Sequence, residues 1–150
     1  KKEDDSKPTG SADWARTTAN KHFRFGWWAL CLFAVLGLVL ESLNGLRVDW
    51  YMGVAEQTRR HMFTLGHAHG TLLALVNIAF AVTLTSDFGK GLHNAKIPSA
   101  CLLGAGVLVP AGFFTGGLVI YGGDPGLGIA LVPVGALLLV IGSMLVARAR

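Results

Sequence analysis

Four long apolar runs, separated by short polar stretches, dominate the pattern of the chain. They cover about residues 23–43, 60–85, 97–121 and 125–147. A helix rises about 1.5 Å per residue, so about 20 residues cross a hydrocarbon core about 30 Å thick. The pattern therefore predicts an all-α, polytopic membrane protein, with four transmembrane helices in an up-down bundle formed by residues 21–150.

Proline, glycine and polar residues mark the predicted boundaries. Pro98 and Pro125 each stand where a span opens, and proline suits the first turn of a helix because its missing N–H costs nothing there. The Gly-Gly-Asp sequence at 122–124 predicts a tight turn between spans three and four. Residues 1–20 are polar, and we expect them to form a solvent-exposed cytoplasmic tail.

Composition places the chain in the same class. It is 52% hydrophobic and 15% charged, with a mean hydropathy of +0.51, whereas soluble domains average about 25% charged residues. The net charge is +4, and the basic residues that give it lie in the tails and loops beside the apolar runs. Membrane topology therefore explains this charge better than nucleic-acid binding does. Cys31 and Cys101 both fall inside predicted spans and form no C-x-x-C motif.

The basic residues also predict an orientation. With both termini on one side, the other side holds Arg47, Arg59 and Arg60. The positive-inside rule then places both termini in the cytoplasm, and we expect the bacterial inner (cytoplasmic) membrane. The residues on the cytoplasmic side are Lys1, Lys2, Lys7, Arg16, Lys21, Arg24, Lys90, Lys96, Arg148 and Arg150.

Three histidines near the start of the second span are the first candidates for chemistry. Histidine is costly in hydrocarbon, so an intramembrane histidine is a functional hypothesis by default. The topology places His61, His67, His69 and Glu41 on the extracytoplasmic side, where together they could hold a metal ion. On one helix His67 and His69 point about 160° apart. Each therefore needs a partner from another helix.

A haem fits this segment better than a small ion does. Gly66 and Gly70 would let a flat ring approach the helix beside His67 or His69, and Arg59 and Arg60 would receive the propionates. The second axial ligand stays open between Met52, a water molecule and a residue of another chain. Hydrogen-bonded histidines at a helix–helix contact, without a ligand, are an equally open interpretation.

The residues His67-x-His69-Gly70-x-Leu72-Leu73 resemble a short element of the catalytic subunits of haem–copper oxidases and nitric-oxide reductases. In those subunits a histidine-rich helix start ligates haem. The resemblance covers about ten of the 150 residues and implies that His69, or His67, is a haem ligand. The family's paired histidines of the binuclear centre do not occur here, so the resemblance does not extend to oxygen or NO reduction by this chain alone.

We therefore expect a small integral membrane subunit of a larger respiratory or photosynthetic complex, serving electron transport with haem or copper. Its partners would be the lipid bilayer and other membrane subunits or a second copy. The sequence contains no G-x-S-x-G, P-loop, H-E-x-x-H or dinucleotide motif, so we expect no catalytic activity from the isolated chain. Two alternatives remain: a cofactor-free accessory subunit, and a small transporter or proton relay using Glu41 and the histidines.

Overall fold

A computed structural model of the chain describes residues 10–53, 56–92 and 95–149. Two 3₁₀ turns, at Asp87–Gly91 and Leu127–Ala130, and a short antiparallel ribbon of β1 (Ile120–Tyr121) and β2 (Asp124–Pro125) connect the helices. The basic residues Lys1, Lys2, Lys7 and Arg150, and also His93, lie outside the described residues. The helices are α1 (Gly10–Gly45), α2 (Asp49–Met52), α3 (Gln57–Thr85), α4 (Lys96–Leu118) and α5 (Leu131–Arg148).

The long helices pack on one another in chain order, α1 on α3, α3 on α4 and α4 on α5. Each neighbouring pair is antiparallel, because a glycine near the end of one helix meets a residue near the start of the other. Glycine allows this close approach, since it places no side chain between the two backbones. The pairs are Gly37 with His67, Gly117 with Met62, and Gly142 with Cys101.

In the part of the chain that the structure describes, four helical segments are long and apolar enough to cross a membrane. They are Asp13–Gly45, Gln57–Thr85, Lys96–Leu118 and Leu127–Arg148. The segments from α3 and α4 are the more buried ones, whereas those from α1 and α5 leave most of their apolar side chains exposed. Wide exposed apolar faces of this kind are typical of helices that contact lipid, and the chain has the character of an integral membrane protein.

The observed boundaries differ from the predicted ones at two places. Helix α1 begins at Gly10 rather than near Phe23, because Trp14 and Ala19 pack against the buried cluster around Phe80. The second half of the predicted polar tail is therefore helical. Pro125 does not open the last helix but belongs to β2, and helical backbone resumes only at the 3₁₀ turn Leu127–Ala130.

The turn between β1 and β2 is as tight as predicted. Gly122 and Gly123 have φ values of 59° and 98°, in the region that glycine enters without the steric cost paid by other residues. Tyr121 pairs with Asp124 across the turn. The ribbon thus ends α4 and reverses the chain toward α5 within a few residues.

Candidate functional site

A polar groove of about 920 Å³ lies between the end of α1 and the start of α3. We call it the polar groove. Side chains of α1 form one wall, those of α3 form the other, and Tyr51 of α2 borders it. The residues with polar side chains that line it are Glu41, Asn44, Tyr51, Gln57, Thr58, Arg60, His61, Thr64 and His67.

His67 is partly buried at the inner end of the polar groove, where its ring lies against α1. Its Nδ1 is 2.9 Å from the carbonyl oxygen of Phe33. A carbonyl only accepts, so Nδ1 donates the proton and the lone pair of the neutral ring is on Nε2. Nε2 makes no hydrogen bond to the described residues, and it is not among their fully enclosed polar atoms that lack a partner. Nε2 is therefore an unpaired nitrogen that is not completely enclosed by protein.

Gly37 determines how close this ring can come to α1. A Cβ atom placed on Gly37 would lie 2.6 Å from Cε1 and 3.1 Å from Nε2 of His67. Only a residue without a side chain leaves room for the imidazole in this position. The fixed Nδ1–H and the close packing together orient the ring, which is what the hydrogen bond from a ligating histidine to a backbone carbonyl does in metal sites.

The other polar residues of the groove lie outward from His67. Glu41 is exposed and follows Gly37 by one turn of α1, about 6 Å along the axis. His61 is exposed on α3 and lies about 9 Å along the axis from His67. Arg60 donates from Nη1 to the carbonyl oxygen of Met52 at 2.9 Å, and the same nitrogen lies 4.0 Å from the Met52 sulfur.

His69 does not share the polar groove with His67. Its Nδ1 donates to the carbonyl oxygen of Leu65 in its own helix at 2.8 Å. Its ring centroid lies 4.9 Å from that of Phe113 in α4. The two histidines thus lie on different sides of α3, as the helical angle predicted.

The glycine face predicted to receive a haem ring is covered by aromatic rings of this chain. A Cβ atom on Gly66 would lie 2.8 Å from Cε2 of Phe114, and the ring of Phe33 lies directly over Gly70. Close contacts do occur at Gly66 and Gly70, but the groups in contact are phenyl side chains of α4 and α1 rather than a haem ring. A flat ligand on that face would have to displace both phenyl rings.

Arg59 connects three parts of the structure at this end of the molecule. Its side chain is buried. It donates to the carbonyl oxygens of Gly117 at 3.2 Å and Trp50 at 2.8 Å, and it forms an ion pair with Glu56. Its guanidinium also lies 4.5 Å from the centroid of the Trp50 ring. Of the two arginines predicted to hold propionates, only Arg60 lines the polar groove.

The predicted metal ligands do not converge on one point. Within residues 10–53, 56–92 and 95–149, no three His, Cys, Asp or Glu side chains are placed to hold a metal ion together. The polar groove brings Glu41, His61 and His67 into one space, and His69 lies outside it. The groove can therefore offer one oriented imidazole, with a carboxylate and a second imidazole farther out.

A second polar group, which we call the polar node, lies at the opposite end of the helices. His22 has no exposed surface, and its Nδ1 donates to Oδ1 of Asn77 at 2.7 Å. Asn77 Nδ2 donates to the carbonyl oxygens of Leu73 and Leu102, which fixes the orientation of the amide. Nε2 of His22 is 2.8 Å from Oγ of Ser99. The node thus ties α1, α3 and α4 together.

The sequence analysis gave no role to His22, Ser99 or Gly37. One available signal was the spacing of Gly37, Glu41 and Asn44, which puts small and polar residues on one stripe at the end of an otherwise apolar helix. The function of the groove is inferred from its geometry, because comparison with protein families, with curated proteins and with solved structures found no match for this chain.

Proposed function

We propose that this protein is a small integral membrane subunit of a larger complex and that its polar groove holds a haem through Nε2 of His67. The observation that carries the proposal is the orientation of this imidazole. Its Nδ1–H is bound to the Phe33 carbonyl, and its Nε2 is unpaired and not completely enclosed at the inner end of the groove. A volume of about 920 Å³ falls within the range of about 300–1,000 Å³ that is usual for small-molecule sites.

A haem suits the donor set better than a bare metal ion does. A zinc or copper site takes three or four protein donors, whereas a haem brings four nitrogen donors of its own and takes one axial imidazole. The polar groove provides one imidazole oriented by a hydrogen bond, that of His67, and the described residues provide no group of three donors. Arg60 lines the groove and would pair with a propionate there.

The proposed role as a subunit is supported by the incomplete ligand set of the groove, which a neighbouring chain could complete. No second oriented donor faces His67 across the groove from the described residues, because Glu41 and His61 lie about one and two turns farther out. A sixth ligand would therefore come from water, from His61 after a local movement, or from a neighbouring chain. We propose that the chain crosses the bacterial cytoplasmic membrane as an up-down bundle, with the groove on the extracytoplasmic side.

The test is the visible absorption spectrum of the complex purified from native membranes in mild detergent. We expect haem to co-purify with the chain, which would give a Soret band and haem bands in the reduced-minus-oxidised difference spectrum. His67→Ala removes the axial donor. The Soret band and the haem content of the complex should therefore be strongly reduced or lost, since even an outer-shell partner of a metal site contributes about 10–100-fold to affinity. Added imidazole should restore part of the band.

His69→Ala is the matched control. His69 also donates its Nδ1 proton to a carbonyl and is also partly buried, but it lies outside the groove. This variant should retain the spectrum. A colourless wild-type complex without iron, or equal haem content in both variants, would contradict the proposal.

A cofactor-free accessory subunit is the second candidate, and the packing over Gly66 and Gly70 favours it. Phe33 and Phe114 fill the face on which the sequence placed a haem ring. Such a subunit would tolerate both histidine substitutions, while deletion of the chain would dissociate the complex. The relay alternative has less support, because the interior of α3 between His67 and Asn77 consists of the buried apolar residues Gly70, Leu73 and Ala74.

A further inference from the structure

A second, apolar cleft of about 730 Å³ lies between α1 and α4, and we call it the α1–α4 cleft. It forms because both helices pack on α3 and leave a space between them. Phe33 and Phe114, which cover the glycines of α3, line its floor. All its lining residues are apolar; the walls include Phe25, Trp28, Leu32 and Leu36 of α1 and Val107 and Ala111 of α4.

We propose that the α1–α4 cleft binds one acyl chain of an anionic glycerophospholipid whose phosphate group is held by Arg24. This inference goes beyond the proposed haem function and does not depend on it. The cleft extends along α1 from Phe25 to Leu36, about 16 Å of helix. That length is about half of a hydrocarbon core of about 30 Å, which is the reach of a chain from one leaflet.

Arg24 and Lys21 provide the charge that selects an anionic headgroup. Both are exposed on α1 just beyond the cleft. Arg24 lines a small adjoining cleft together with Trp28, which also lines the α1–α4 cleft. Arg24, Trp28 and Leu32 follow one another at four-residue intervals, so a cation lies one turn above an apolar stripe on the same helix face. Basic residues beside a membrane span attract anionic lipids in this way.

The charge beside the cleft favours a lipid as its occupant. Arg24 lies one turn from Trp28 on the wall of the cleft, so a bound molecule would meet a cation at one end and an apolar surface along the rest of its length. An acyl chain with an anionic headgroup has this distribution of charge. A single acyl chain is also thin enough to reach the rings of Phe33 and Phe114.

The experiment is native mass spectrometry of the full-length chain in detergent, titrated with phosphatidylglycerol or with phosphatidylcholine of the same acyl chains. We expect one saturable lipid per chain, with phosphatidylglycerol bound about fivefold more tightly, the contribution of about one basic residue near a membrane surface. Arg24→Gln should reduce the preference to what Lys21 alone contributes and should retain binding. Arg148→Gln, an exposed charge on α5, should leave the preference unchanged.

Filling the cleft provides a second, independent measurement. Val107→Trp should abolish the saturable site for both lipids, whereas Val134→Trp on α5 should leave it intact. The two valines are a matched pair, because 52% and 51% of their surfaces are exposed. Three results would overturn the proposal. The first is equal lipid binding by the two tryptophan variants, and the second is equal affinity of the wild type for both lipids. The third is a dimer that Val107→Trp disrupts and Val134→Trp does not. If Val107→Trp does not fold, the two arginine variants decide the question.

Discussion

Three histidines of this chain use the same nitrogen in the same way and differ in what the other nitrogen meets. In His22, His67 and His69, Nδ1 donates to an amide or backbone oxygen. Nε2 of His22 is within hydrogen-bond distance of Ser99 inside the protein, whereas Nε2 of His67 makes no hydrogen bond and its ring lines the polar groove. In each histidine the Nδ1 hydrogen bond offsets the free-energy cost of burying a polar ring. The surroundings of Nε2 therefore distinguish the structural histidine, His22, from the candidate ligand, His67.

The polar node should contribute measurably to stability. Replacing Asn77 with Leu preserves the approximate size of the side chain but leaves the His22 Nδ1–H without an acceptor in a fully buried position. An unsatisfied buried donor costs about 1–3 kcal/mol. We therefore expect Asn77→Leu to lower the free energy of unfolding by that amount, measured by SDS titration in detergent micelles.

Asn20→Leu is the control for this substitution, since Asn20 is exposed on α1, and it should change stability by less than about 0.5 kcal/mol. Combining Asn77→Leu with His22→Phe removes both partners of the hydrogen bond. The double variant should then be less destabilised than the sum of the single variants, with a coupling of about 0.5–3 kcal/mol. Additive effects would show that the two side chains do not interact.

At the scale of the helices, glycines decide which elements touch and what lies between them. Gly37 admits the His67 ring, while Gly66 and Gly70 admit phenyl rings. A small-residue stripe in a membrane helix predicts close approach, but it does not specify the group that approaches. The glycine stripe therefore indicated a contact surface on α3. Nothing in the sequence indicated that the rings of Phe33 and Phe114, rather than a haem, would lie on that surface.

Gly37→Ala should damage the polar groove without affecting the rest of α1. The added Cβ would lie 2.6 Å from Cε1 of His67, so the ring must move and lengthen its hydrogen bond to Phe33. Overpacking of this kind costs about 1–3 kcal/mol, and the haem content of the complex should fall with it. Gly45→Ala is the control, because no atom lies within 4 Å of a Cβ at that position. Equal unfolding midpoints and haem contents for the two variants would show that Gly37 does not position the imidazole.

The four long helices were predictable because each apolar run is long and carries few charges, a signal that tertiary contacts do not alter. The ends were less predictable. Trp14 and Ala19 extend α1 into a polar segment by packing against the cluster around Phe80, and this contact joins residues about 60 positions apart. Pro125 is compatible both with a helix start and with a turn, and the glycines before it decided for the turn.

For the whole molecule, the positions of the basic residues bear on the proposed orientation. Arg59 lies at the groove end, where it is buried and paired with Glu56. Lys21, Arg24 and Arg148 lie at the other end and are exposed. The positive-inside rule counts Lys and Arg rather than net charge, so the larger number of basic residues at the end with the termini supports their proposed cytoplasmic position.

Cysteine labelling of intact cells tests this orientation. In a chain with Cys31→Ala and Cys101→Ala, a membrane-impermeant maleimide should label Leu127→Cys directly, because Leu127 is 87% exposed at the groove end. It should label Arg148→Cys only after the cells are permeabilised, because Arg148 is exposed at the opposite end of α5. The reverse pattern would invert the orientation and move the polar groove to the cytoplasm. Labelling of both sites in intact cells would show that α5 does not cross the membrane, since the two residues lie about 30 Å apart along the helix.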